Sequence, residues 1–150
     1  IKKGITIEKL TLNIGLGTFL PLREGSVEDN TLHSEYCYLS KKTAEKLNEI
    51  KNSKNRRIIC VGTTALRTLE TSFENGIFKP VNKKTNKFIY PGIDINSIDA
   101  LITNFHLPKS SLFILICAFM GTNKMIKAYE YAIKNNYRFY SYGDACLLEK

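Results

Sequence analysis

The sequence predicts an α/β fold: a mixed or largely parallel sheet with packed helices. Three observations carry that expectation. Short runs rich in β-branched residues alternate with segments of helical periodicity. Turn signals separate them, at Gly15-Leu16-Gly17, Gly62, Pro91-Gly92, Gly121 and Gly143-Asp144. The length of 150 residues allows one domain, and a 43% hydrophobic share suffices for a core. A wholly disordered chain, a collagen and a low-complexity tail are excluded on composition, and no internal repeat is present.

The elements follow in order. Ile5, Ile7, Leu10, Leu12 and Ile14 alternate with a slip at Glu8-Lys9, predicting a bulged strand or two short ones. Ser40 is placed as an N-cap, with Ala44, Leu47 and Ile50 at helical spacing behind it. Arg57 to Val61 reads as a buried strand. Gly62-Thr63-Thr64 turns into a helix carrying Leu66, Leu69 and Phe73 on one face, with Gly76 as its stop. Phe88-Ile89-Tyr90 reads as a strand before the Pro91-Gly92 turn, and Ala100 to Thr103 as another. Pro108 suits the first position of a buried helix that runs to about Met120 and stops at Gly121. Thr122 or Asn123 caps a further helix, with Met125, Tyr129, Ala132 and Ile133 inward. Tyr137 to Leu148 is strand-like, broken at Gly143-Asp144.

Lys and Arg number 22 against 14 Asp and Glu, a formal charge of +8. A basic surface points to polyanions, nucleic acid ahead of membrane. The excess is nearly all Lys, and Ile and Asn are abundant too, so an A/T-rich genome is an alternative source. Two clusters sit at element ends, where phosphate contacts are common: Lys51, Lys54, Arg56, Arg57, and Lys79, Lys83, Lys84, Lys87. The longest apolar run, Leu112 to Met120, falls well short of the roughly 20 residues of a membrane span. No secretory pattern opens the sequence, and the first residue is not Met, so a piece of a longer protein is expected. Cys37, Cys60, Cys117 and Cys146 form no C-x-x-C pair, which argues for reduced thiols in a cytoplasmic protein and against a zinc site.

Three polar loops each follow a strand: Gly15-Leu16-Gly17-Thr18, Gly62-Thr63-Thr64 and Thr103-Asn104-Phe105-His106. Ligands of α/β folds bind at strand carboxyl ends, so parallel neighbours would bring these loops to one site. Two of them open a helix, whose free N–H groups suit a carboxylate or phosphate. Gly15-Leu16-Gly17 lacks the third glycine of a dinucleotide loop, since Leu20 stands there. His33-Ser34-Glu35 matches the H-x-E of zinc deaminases, but no P-C-x-x-C follows and no metal is expected. His33 and Glu35 share a face of an extended segment, as an acid–base pair or a surface pair. Arg67 and Glu70 lie one turn apart, as an ordinary helical ion pair or with Arg67 facing an anion. His106 lies in a loop between a buried strand and a buried helix, and its ordinary pKa near 6.5 suits proton transfer.

Six motifs in order then resemble one family. They are Gly15-Leu16-Gly17-Thr18-Phe19, His33-Ser34-Glu35-Tyr36, the run Val61 to Glu70, Tyr90-Pro91-Gly92, Thr103 to Ser110, and Tyr137 to Ala145. The sequence is similar to the S-adenosylmethionine:tRNA ribosyltransferase-isomerases of queuosine biosynthesis, and the resemblance covers nearly the whole chain. It implies that residues 1–150 are the C-terminal portion of the main α/β catalytic domain of a protein roughly twice this length or more. An N-terminal segment and an inserted β domain would be absent, and the sheet would be completed by that missing chain.

The resemblance implies an unusual use of S-adenosylmethionine, as ribosyl donor. The acceptor is 7-aminomethyl-7-deazaguanine (preQ1) at the wobble position of the tRNA anticodon arm. Epoxyqueuosine forms, and adenine and methionine leave. No metal and no membrane are implied; the oligomeric state is open, with a monomer favoured. The chemistry matches residues as follows. His106 is the first choice for the base that attacks the carbon beside the sulfonium, and His33 the second. Thr63, Thr64 and Arg67 receive the methionine carboxylate. Glu35, Asn104 and Asp144 serve ribose hydroxyls and departing adenine, and Phe105, Tyr140 and Tyr142 stack, with core packing the alternative for Phe105 and Tyr140. Gly15, Gly17, Thr18 and Gly62 let backbone approach the cofactor. The rivals are a nucleic-acid-binding module without chemistry and an S-adenosylmethionine-dependent RNA methyltransferase. The fragment alone is expected to be inactive.

Overall fold

The computed structural model describes residues 4–15, 27 and 30–150. Strand β1 (Thr11–Asn13) pairs antiparallel with β2 (Glu35–Leu39), which pairs antiparallel with β6 (Val81–Thr85). A second sheet has the order β3 (Ile59–Val61), β7 (Ala100–Asn104), β8 (Ala145–Glu149). Here β3 and β7 run parallel, with Cys60 opposite Leu101, and β8 returns antiparallel. The α/β class and the mixed sheet stand; β3–β7 is the sole parallel ladder among the described residues.

Helix α1 (Lys41–Lys51) starts where the Ser40 hydroxyl accepts the Thr43 N–H at 3.1 Å. Asn48 then exchanges two hydrogen bonds with the Phe78 backbone, at 2.9 and 2.7 Å, fixing α1 beside the hairpin β4 (Phe73–Glu74) and β5 (Ile77–Phe78). Helix α2 (Thr63–Ser72) lies against both larger sheets. Helices α3 (Ser111–Met120) and α4 (Thr122–Lys134) meet at a 116° bend around Gly121. The core gathers Leu39, Leu47, Leu66, Leu69, Leu101, Ile116 and Met125 between these layers. No single helix among the described residues is long and apolar enough to cross a membrane. All four cysteines are free thiols.

Several boundaries differ from the sequence reading, each for a local reason. Residues 5–10 do not join a ladder, because Glu8 is drawn to Lys46 and Thr43 on α1. Gly76 does not stop α2. The helix ends at Ser72, and Asn75-Gly76, both with positive φ (52° and 82°), turn the β4–β5 hairpin. Phe88-Ile89-Tyr90 is unpaired, although Ile89 is buried; the strand is the polar stretch Val81–Thr85 before it. Pro108 lies in a turn, and Ser110 caps α3 by accepting the Phe113 N–H at 3.2 Å. Gly121, not Thr122 or Asn123, is the N-cap of α4, and Ile133 points outward. The tail forms a 3-10 turn at Tyr140–Tyr142 before β8.

Among the described residues no strand pairs with the outer edge of β3 in the second sheet. A groove of about 850 Å³ runs between residues 4–10, α1, α2 and the edge strand β3. Its walls are mostly aliphatic, and Ile5, Ile7, Ile59 and Val61 remain exposed.

Candidate active site

The parallel pair β3–β7 sets the site. Gly62 follows β3 and donates its N–H to the Ile102 carbonyl at 2.8 Å, so the start of α2 sits beside the end of β7. Gly62 has φ 90° and ψ 143°, a conformation that favours glycine. Among the described residues no side chain caps α2, and its first residues Thr63 and Thr64, at the positive end of the helix dipole, line the cleft. The cleft measures about 310 Å³ and is lined by Leu12, Ile14, Glu35, Thr63, Thr64, Arg67, Asn104, His106, Ser110 and Tyr140, among others.

Glu35 and Arg67 form a buried ion pair on its floor. The other oxygen of Glu35 accepts the Gly15 N–H at 2.9 Å. Burial pulls the Arg67 guanidinium below its ordinary value, and the Glu35 carboxylate opposes the shift. Glu70, expected as the helical partner of Arg67, instead accepts the Ser97 N–H at 3.1 Å and faces Lys87 at 3.8 Å.

His106 is held at two atoms. Its backbone N–H donates to the Tyr129 hydroxyl at 2.7 Å, and its Nε2 lies 2.9 Å from Thr103 Oγ1. Burial pushes the imidazole down to about 4, so it is neutral at physiological pH and a weaker base than a free imidazole. If Nε2–H donates to Thr103, Nδ1 keeps a free lone pair, which is the form a base requires. Asn104 donates from Nδ2 to the Tyr140 carbonyl at 3.0 Å, while the Tyr140 N–H donates to the Phe105 carbonyl at 3.0 Å. These bonds hold Tyr140 at φ 66°, with its side chain 55% exposed at the cleft.

Other expected residues lie elsewhere. Phe105 is buried among Tyr129, Tyr137 and Phe139, with ring centroids 5.2–5.8 Å away, so it packs the core rather than a ligand. Asp144 is not brought to the cleft. It accepts from the Arg138 backbone at 2.9 Å and pairs with the Arg138 guanidinium at 3.1 Å, which holds its carboxyl below the usual range. His33 is exposed and is not part of the cleft lining. Gly17 and Thr18 lie outside the described residues. Sequence reasoning passed over Thr103 and the Tyr129 hydroxyl. A Tyr on the inward face of a helix needs a partner for its O–H, but nothing in the pattern names that partner. Among the described residues no cluster of His, Cys, Asp and Glu is suited to a metal ion.

The model of the queuosine biosynthesis protein family matches residues 1–148. The chain belongs to this queuosine biosynthesis family. The S-adenosylmethionine:tRNA ribosyltransferase-isomerase of Rickettsia typhi is 53% identical over 97% of the chain, and that of Rickettsia felis 50% over the same share. The chain spans 39–40% of the length of these relatives. A crystal structure of S-adenosylmethionine tRNA ribosyltransferase from Thermotoga maritima superposes with a TM-score of 0.70. It is 44% identical, over 75% of this chain and 40% of that one. Within the queuosine biosynthesis family, then, the cleft at the ends of β3 and β7 is the candidate site that this chain contributes.

Proposed function

We propose that this chain is the C-terminal part of the catalytic domain of an S-adenosylmethionine:tRNA ribosyltransferase-isomerase, acting on preQ1 at the tRNA wobble position. The observation that carries the reading is the meeting of a neutral buried imidazole with an uncapped helix start in one cleft. The sulfonium acidifies the neighbouring ribose carbon. His106 takes that proton at Nδ1 when Nε2 donates to Thr103, whose hydroxyl holds the ring in place. The methionine carboxylate lies over the first N–H groups of α2 at Thr63 and Thr64, where the dipole favours negative charge. Arg67 and Glu35 keep the floor ordered, and the exposed Tyr140 ring covers adenine or the deazaguanine. The cleft volume is near the lower limit for a small-molecule site, which fits one contributed partly by further chain.

The groove beside β3 supports the same view of the missing part. An edge strand with exposed Ile59 and Val61 is suited to pairing with another segment. The remaining length of the full protein would complete the sheet there, and this fragment alone is expected to be inactive. Its monomeric state and cytoplasmic location belong to the same proposal.

The test uses a chimaera in which this chain replaces the matching part of the Rickettsia typhi relative. Given S-adenosylmethionine and preQ1-containing tRNA, it should release adenine and methionine. Release of S-adenosylhomocysteine would favour a methyltransferase. RNA binding without any release of adenine would favour a binding module.

A further inference from the structure

We infer that the outward face of the β1–β2–β6 sheet is a binding surface for single-stranded RNA, with Tyr36 and Tyr38 as stacking platforms. The inference rests on the tRNA reading above and adds the surface that reading lacks.

Side chains on β2 alternate. Glu35, Cys37 and Leu39 are buried inward, and Tyr36 and Tyr38 point outward at 38% and 42% exposure. Helix α2 packs on the inward side, where Arg67 meets Glu35 and Thr71 lies 2.9 Å from Thr85. The register sets Asn13, Tyr36 and Lys84 in one row and Thr11, Tyr38 and Asn82 in the next. All six are exposed, and none is a carboxylate.

The Tyr36 hydroxyl donates to Asn82 Oδ1, its diagonal neighbour on β6. That bond ties the Tyr36 side chain to β6, and the residue stays 38% exposed. Aromatic faces beside hydrogen-bonding groups and cations are what unpaired bases and their phosphates require. Charge selects the same occupant. Lys79 and Lys87 are matched by Glu74 and Glu70, whereas Lys84, in the outward row with Tyr36, forms no ion pair among the described residues. Tyr36 and Glu35 are successive residues of β2 on opposite faces of the sheet, so this surface backs the wall that carries Glu35 into the cleft.

The chain contains no Trp, so Tyr38→Trp creates a single fluorescent reporter on this face. Titration with an anticodon stem–loop RNA should quench it, and heparin, a polyanion without bases, should not. Tyr36→Ala and Tyr38→Ala should each weaken binding roughly 10-fold or more, while Tyr131→Ala on α4 leaves it unchanged. Lys84→Ala should lower the salt slope by about 1. If an alanine variant melts non-cooperatively, quenching of Tyr38→Trp decides. RNA bound with no quenching and no loss in the alanine variants overturns the surface and leaves the tRNA reading standing. Failure of the wild-type chain to bind RNA overturns both. A concentration-dependent change in Trp emission without RNA identifies a second copy as the occupant and also overturns it.

Discussion

Arg67 on α2 and Glu35 on β2 are joined through a buried ion pair that ties the helix starting at the cleft to the sheet forming its far wall. Both side chains are almost wholly excluded from solvent, at 4% and 1% exposure. Removing one partner leaves a buried charge uncompensated. Glu35→Gln should therefore destabilise the chain by about 3–5 kcal/mol in urea unfolding. Replacing both together, Glu35→Leu with Arg67→Met, should recover most of that loss, because neither charge then remains buried. If the double variant is no more stable than the single one, the pair is not the source of the loss.

His106 makes stability depend on pH in a defined window. Its folded value is about 4, against an ordinary value of 6.5. Between these values the unfolded chain binds more protons, so stability rises with pH and falls as acid is added. The full effect is about 3 kcal/mol, lost from pH 6.5 down to 4. His106→Asn should flatten that part of the curve. In the active chimaera, kcat/KM should show no ionisation near pH 6.5 from this residue; an acidic limb there that vanishes in His106→Asn contradicts the assignment.

Tyr140 carries backbone strain at the cleft. Its φ of 66° is unusual for a residue with a large side chain. Tyr140→Gly should relieve about 1 kcal/mol of strain and raise Tm, yet raise KM for S-adenosylmethionine through loss of the ring. Asn104→Ala removes the amide that holds the Tyr140 carbonyl and should raise the same KM while lowering Tm. A KM unchanged in both variants removes Tyr140 from the site.

Gly62 admits a test of backbone geometry alone. A Cβ there would meet no atom within 4 Å, so any cost of Gly62→Ala comes from φ 90°. Urea unfolding should show a loss of about 1–3 kcal/mol. A neutral substitution would mean that the turn into α2 relaxes.

Much of the fold was legible because burial and local chemistry agreed. Ser40 announced α1, and the β-branched runs before Gly62 and at Ala100–Thr103 became the parallel pair that builds the cleft. The strand Val81–Thr85 was hidden because its three central residues, Asn82, Lys83 and Lys84, are exposed and polar. His106 and the helix start were readable from their place after strands. The pairing of Arg67 with Glu35 was not, because 32 residues separate them and Glu70 offered a nearer partner. For Phe105 the packing alternative holds. A motif position beside the presumed base turned out to be core, with three aromatic neighbours supplied by α4 and the tail.

The most direct measurement is adenine release from S-adenosylmethionine by the chimaera and its His106→Ala form, with preQ1-containing tRNA as acceptor. The expected result is adenine from the parent chimaera and a rate at least about 10²-fold lower in the variant, with its cooperative melting retained. Adenine release at the parent rate from a folded His106→Ala variant would contradict the assignment of this imidazole as the base.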